Sequence, residues 1–326
     1  MNRRNIRVTA RLLARRAAAL KRHLPEARDG DVRGVHQARV ASRRLREAVP
    51  VLTSGVKGTK ANKARGKIRR LTRALGTVRE LDVTLQVLDE LAAGETLPRV
   101  ALEDVRAHVV AERDKRRATM LKRLEQVNVD KLDRRLAFVA EALTASDSQE
   151  WRNALGSRLM KRQKAMRAAI ADAGQMYSPE KLHQVRIASK KLRYAMELAA
   201  DAGIRSAAGP LRVVKRAQDG LGRLHDLQVL QQHVAAVQAT PGGRAPSGGL
   251  DVVNRALEEE CRHLHASYMA TIPKLTALTD VVRTVIVPHL AYRARPPLRA
   301  LKMTLKDRTA TRRAVRSLGA ADGGNR

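Results

Sequence analysis

One basic segment is written twice in this chain. Residues 35–49 read VHQARVASRRLREAV, and residues 182–196 read LHQVRIASKKLRYAM. His36 and His183 stand 147 positions apart, and each cation of the first copy meets a cation at the matching place of the second: Arg39 with Arg186, Arg43 with Lys190, Arg44 with Lys191, Arg46 with Arg193. A repeat at that distance implies two copies of one structural unit, which constrains the fold more than any other feature. On a helix of roughly 100° per residue, His36, Arg39, Arg43 and Arg46 fall within roughly 80° of one another. Val35, Ala38, Leu45, Ala48, Val49 and Leu52 then form an apolar stripe near the opposite side. The second copy sets His183, Arg186, Lys190 and Arg193 against Leu182, Val185, Ala188, Leu192 and Met196, with Arg44 and Lys191 flanking the stripes. Glu47 intrudes into the first ridge where the second copy has Tyr194, so the two ridges are unequal. Asp31 and Ser178, again 147 apart, are both good N-caps, and Pro179 suits a first helical position.

A second element follows each copy at a spacing of 146: LGTVRELDV at residues 75–83 and LGRLHDLQV at residues 221–229. With four elements in order, the chain resembles the CHAD domain family, through the pattern H-x-x-R-x-x-x-[RK]-[RK]-L-R at residues 36–46 and again at 183–193. The resemblance covers nearly the whole chain. It implies an all-α fold of two helical bundles related by pseudo-twofold symmetry, with basic helices lining a central groove or pore that binds inorganic polyphosphate. The expected repeats are residues 1–147 and 148–326, the second including a basic C-terminal helix and a tail. If the long third helix of each half packs beside its motif helix, as the resemblance implies, Lys67 and Arg70 extend the groove in the first half. Lys215 and Arg216 do so in the second, and Arg69/Lys215 and Arg70/Arg216 match at the 146 spacing. The expected polyphosphate ligands are these four together with His36, Arg39, Arg43, Arg44, Arg46, His183, Arg186, Lys190, Lys191 and Arg193. Arg79, Glu80, Asp82 and Asp226 are expected to fix them through salt bridges. The second LG element departs from the first, with His225 for Arg79 and Gln228 for Asp82. The ExExK strand of a triphosphate-tunnel domain, which some relatives carry, does not occur.

Charge points independently to a polyanion. The chain holds 65 Lys and Arg against 32 Asp and Glu, a net +33, with Arg outnumbering Lys 48 to 17. Solvated helix faces usually mix signs, because a field of one sign opposes compaction. Nucleic acid is the second choice of partner. Single-strand binders stack bases on aromatic side chains, and Phe138, Trp151 and four tyrosines are too few and too scattered for that. No DNA-reading module is recognisable. Polyphosphate has no bases to read and needs only a line of guanidinium and ammonium donors, which arginine supplies in bidentate form.

Metal is not expected at His36 or His183, where arginines three and seven residues on would repel a cation. These histidines are read either as partly cationic phosphate donors or as hydrogen-bonding partners within the bundle. No cofactor is expected. Glu80 and Asp82 lie two apart and point to different helix faces, and neither a nucleophile elbow nor a phosphate-cradling glycine loop is present. The chain is therefore read as a non-enzyme, with a phosphate-chain hydrolase as a third option. Cys261, the single cysteine, permits no intramolecular disulfide and suits a packing role. No apolar run approaches the roughly 18 residues a membrane span needs. The N-terminal stretch is free of acids before Glu26, but Arg11, Arg15 and Arg16 interrupt it. It therefore reads as a first bundle helix, not a signal peptide. A cytoplasmic protein associated with polyphosphate granules is the expectation.

Along the chain, breaks are expected at 25–30, 54–58, 94–98, 145–148, 203–210 and 240–249. They leave a long third helix over 59–92, its counterpart ending near 239, helices at 250–270 and 274–287, and a basic helix after Pro297.

Overall fold

A computed structural model describes residues 3–54, 56, 59–144, 148–240 and 247–291. The basic segment after Pro297, the tail and most of the 240–249 loop lie outside the described residues.

The fold is all-α, as expected. In order, the helices are α1 (Arg3–Arg28), α2 (Val32–Leu52), α3 (Thr59–Ala74), α4 (Gly76–Ala93), α5 (Arg99–Glu125), α6 (Val129–Thr144), α7 (Ser148–Ala173), α8 (Pro179–Asp201), α9 (Ala208–Gln238), α10 (Ser247–Val281) and α11 (Val287–Ala291). A 3-10 turn (Arg205–Ala207) precedes α9, and a π-helical turn (Val282–Ile286) joins α10 to α11. No strand occurs among the described residues.

Helix boundaries follow local chemistry at several ends. Asp31 caps α2 by accepting from the Gly34 amide, as its side chain allows. Ser178 sits at the cap of α8 with Pro179 next to it, but its hydroxyl makes no cap bond. Gly34 is required by packing: a Cβ there would come 2.4 Å from that of Glu26, so α1 and α2 touch with nothing between them.

Three expected helix boundaries fall differently. α1 runs through Pro25 to Arg28, because a proline in the last turn removes one helical bond while Asp29, Gly30 and Asp31 amides still close the end; Gly30 takes φ +77° there. The third helix is interrupted at Leu75, where α3 gives way to α4. Leu71, Leu75 and Val78 belong to one apolar core and Leu81, Leu85 and Leu88 to another, so the interruption lies just before the chain passes between them. Its counterpart α9 serves both cores without a break. Downstream, α10 already includes residues 247–249 and passes through Pro273, so the two helices expected at 250–270 and 274–287 are one, continued by the π turn. A proline inside a helix costs ~3 kcal/mol or more, and at Pro273 the packing of this 35-residue helix along α9 outweighs it.

The larger core gathers α1, α2, α3, α6, α7, α8, the first part of α9, the end of α10 and α11, together with Val78 of α4 and Met120 and Leu124 of α5. The smaller core joins α4 and α5 to the second part of α9 and the first part of α10. Both therefore draw on residues from each side of position 147. Cys261 is buried in the smaller core, and burial pushes its thiol up, which suits inert packing.

Candidate anion-binding site

Both motif helices turn their apolar stripes into the larger core: Val35, Leu45 and Leu52 from α2, Val185, Leu192 and Met196 from α8, each at 1% exposure or less. Each such side chain contributes roughly 1.5–3 kcal/mol of burial, enough to hold the opposite faces where they are. Because α2 also packs on α8, the two basic faces meet.

Arg39, Arg43, Arg186 and Lys190 share one half-buried neighbourhood. Burial pushes Arg39 down to about 10, with Arg43 and Arg186 adding to it against Tyr194 and Glu80. Burial likewise pushes Lys190 down to about 6, with Arg186, Arg43 and Arg39 next in weight and Asp226 opposing. A guanidinium keeps its proton in a protein. At Arg39 the displacement therefore expresses the electrostatic cost of the cluster, whereas Lys190 can respond by giving up its proton. The Nε atoms of Arg39, Arg43 and Arg186, and Nδ1 of His36, are buried without a hydrogen-bond partner. Orphaned donors of this kind are costly and call for an acceptor.

The nearby acids compensate only in part. Asp226 Oδ1 lies 3.7 Å from Arg186 Nη2, too far for a hydrogen bond, and burial raises the Asp226 carboxyl despite that neighbour. Glu80 Oε1 lies 3.6 Å from Nε2 of His225, whose contact holds its carboxyl below the usual range. His225 in turn sets Nδ1 3.3 Å from Nδ1 of His183. Burial lowers both motif histidines, followed by Arg79 and Arg39 at His36, and by His225, Arg186 and Lys190 at His183. The free site therefore holds them as neutral rings, and His183 serves as a partner to His225. Asp82, expected as a salt-bridge support, is buried at 5% exposure with Oδ2 unpartnered. Burial raises its carboxyl although Arg79, Arg113 and Arg117 face it.

The other expected residues separate into distinct places. Arg44 is bound to Glu197 at 2.9 Å, and Arg193 approaches the same carboxylate at 3.8 Å while lying over the Tyr194 ring. Arg46 is exposed at the edge, facing Arg43 and Arg69. Lys191, Lys215 and Arg216 are exposed. Lys67 and Arg70 line a separate groove of about 640 Å³ between α3 and α6, with Lys63, Lys131 and Arg135. Glu47, the intruder in the first ridge, is taken up by Arg162 of α7 at 3.0 Å. Sequence reasoning missed Arg113, Arg116 and Arg117 of α5, and Lys131 and Arg135 of α6, because nothing in the sequence tells which face of those charged helices meets the motif half.

Glu197 anchors the α2–α8 seam, at 8% exposure between Arg44 and Arg193. Removing one partner of a buried pair costs ~3–5 kcal/mol, and partial exposure of Arg44 reduces this. Glu197→Ala is therefore expected to destabilise the fold by about 2 kcal/mol in urea unfolding. A neutral or stabilising result would mean that the seam does not depend on this pair.

The family model of the CHAD domain matches residues 11–235. The crystal structure of the CHAD domain from the plant Ricinus communis is 21% identical and superposes with a TM-score of 0.55, over 86% of this chain and 92% of that one. PptA from Streptomyces chartreusis is 18% identical with a TM-score of 0.58, over 81% of this chain and 97% of that one. No curated protein matches. The matched span takes in more than half of the chain, including both motif helices and the cluster between them, and the protein belongs to the CHAD domain family.

Proposed function

We propose that the protein binds inorganic polyphosphate without hydrolysing it, and that this binding brings it to polyphosphate granules in the cytoplasm. The observation carrying the reading is the meeting of Arg39, Arg43, Arg186 and Lys190 in one half-buried cluster with three orphaned guanidinium Nε atoms. An unbranched chain of phosphates offers a row of acceptors, and each Arg–phosphate contact is a charge-assisted, bidentate hydrogen bond. Nucleic acid carries the same charge but needs base contacts or stacking for a lasting preference. Phe138 is 46% exposed with Lys60 Nζ 3.4 Å from its ring centroid, and Trp151 is buried, so the two do not make a stacking platform. Among the described residues no helix is long and apolar enough to cross a membrane.

Competition at fixed ionic strength tests this. Long-chain polyphosphate is expected to displace duplex and single-stranded DNA at far lower phosphate concentration, and incubation with magnesium is expected to release no orthophosphate. The reverse ranking would favour the nucleic-acid reading, and steady orthophosphate release would favour a hydrolase.

A further inference from the structure

Away from the cationic cluster, α5 and α9 bring together three side chains that the polyphosphate reading does not use. His108 and Glu112 lie one turn apart on α5, and His233 faces them from α9; their ligand atoms all lie within 4.8 Å of one another. The two imidazoles stand with ring centroids 5.5 Å apart and planes tilted by 58°. Glu112 Oε2 is 3.9 Å from Nε2 of His108, beyond hydrogen-bonding distance, while its other oxygen is held by Arg116. The side chains of His108 and Glu112 are 34% and 31% exposed, so an ion has a way in and can keep a water.

We infer that His108, Glu112 and His233 form a binding site for a borderline divalent transition ion, zinc above all, that ties α5 to α9. Two imidazoles and one carboxylate are a donor set that zinc, cobalt and nickel accept, whereas magnesium and calcium prefer oxygen throughout. Bonds of ~2.1 Å place tetrahedral ligand atoms roughly 3.4 Å apart, so groups that lie within 4.8 Å of one another need to close by up to about 1.4 Å. Rotation of two half-exposed side chains achieves that. The fourth position stays open for water or a phosphate oxygen. Arg116 on the outer carboxylate oxygen orients Glu112, as second partners of metal ligands commonly do. Burial, with His108 next, holds His233 below the ordinary imidazole value, which leaves it neutral with a lone pair to give.

Local charge separates this place from the motif histidines. His36 and His183 are surrounded by arginines and Lys190. Here Glu112 and Glu80 both face His233, and of the arginines only Arg116 is prominent beside them. His233 lies eight residues beyond His225 on α9, roughly 12 Å along the axis. Glu80 faces His233 as well as His225 and Arg39, so the two places share one carboxylate, but none of the three ligands belongs to the cationic cluster and the inference does not rest on the polyphosphate reading.

The test uses the full chain without a polyhistidine tag, freed of metal by chelation and kept in phosphate-free buffer. Titration with cobalt(II) is expected to give the visible absorption of a tetrahedral complex saturating at one equivalent. Zinc is expected to raise the unfolding temperature in proportion to the logarithm of its free concentration. His108→Gln and His233→Gln, with unchanged circular dichroism, are each expected to weaken uptake at least about tenfold. Absence of saturable uptake, or equal uptake in wild type and His233→Gln, overturns the inference. Uptake lost in His225→Gln but kept in His233→Gln also overturns it, since the ion would then belong to the His183–His225 pair.

Discussion

Replacing Arg39, Arg43 and Arg186 by Gln and Lys190 by Met in one variant is expected to weaken polyphosphate binding at least ~10³-fold while raising the stability of the free protein. Hydrogen bonds to charged groups contribute ~1.5–3 kcal/mol each, so four would lose ~6 kcal/mol at the low end. Neighbours in one network are not additive, and about 4 kcal/mol, or ~10³ in affinity, is a conservative sum. Stability moves the other way because the three guanidiniums are half-buried, repel one another, keep Lys190 largely neutral and have Asp226 and Glu80 as incomplete counter-charges. Relieving that field is expected to add about 1–3 kcal/mol in thermal or urea unfolding. The slope of log K against log salt should become shallower by about three, since each contacted phosphate accounts for ~0.7–0.9. A variant that melts lower than its parent and binds as well would make the cluster a structural one. The opposed signs of the two readouts are what a site built for an absent polyanion requires.

That site was half legible in the sequence. The period of the two copies placed His36, Arg39 and Arg43 on one face and Leu45 and Leu52 on another, and the helices pack that way because burial of the stripe leaves the basic face only one place to go. The same arithmetic applied to Leu182 and Leu192 located Arg186 and Lys190. Projection failed where a residue's partner comes from a distant element. Arg44 has the same character as Arg43 in the sequence, yet Glu197, 153 positions away, takes it. Arg70 matches the spacing of the repeat, yet with Lys67 it faces α6, because the interruption at Leu75 frees α3 to follow the larger core. Asp82 was expected to fix nearby arginines as a salt-bridge partner and is buried with an orphaned oxygen. Helix ends show the same division: Asp31 capped as its chemistry suggests, whereas Pro25 and Pro273 were carried inside helices by tertiary packing. A local rule holds until a neighbouring element outweighs it.

Lys190 makes the free and bound states differ in protonation, and this gives the second large effect. An ammonium with an ordinary value of 10.5 stands at about 6 in the free fold, because burial and then Arg186, Arg43 and Arg39 disfavour its charge. At pH 7.5 the free site therefore holds it mostly neutral, although the ligand needs it charged. A polyanion laid across the cluster restores the ammonium, so binding takes up about one proton. Between the free and bound values, affinity should fall ~10-fold for each pH unit gained, or ~10²-fold from pH 6.5 to 8.5. Stability of the free chain runs oppositely. Between about 6 and 10.5 the unfolded chain binds more protons at this residue than the folded one, so this contribution to stability rises with pH across that window. Isothermal titration in buffers of differing ionisation enthalpy counts the proton, with long polyphosphate chains used so that terminal phosphates contribute little. Lys190→Arg places a permanent charge at the site and is expected to flatten the pH dependence while keeping the affinity seen at low pH; Lys190→Met should flatten it at the weaker level. Equal slopes in all three proteins would assign the proton to another group and leave Lys190 as a packing residue.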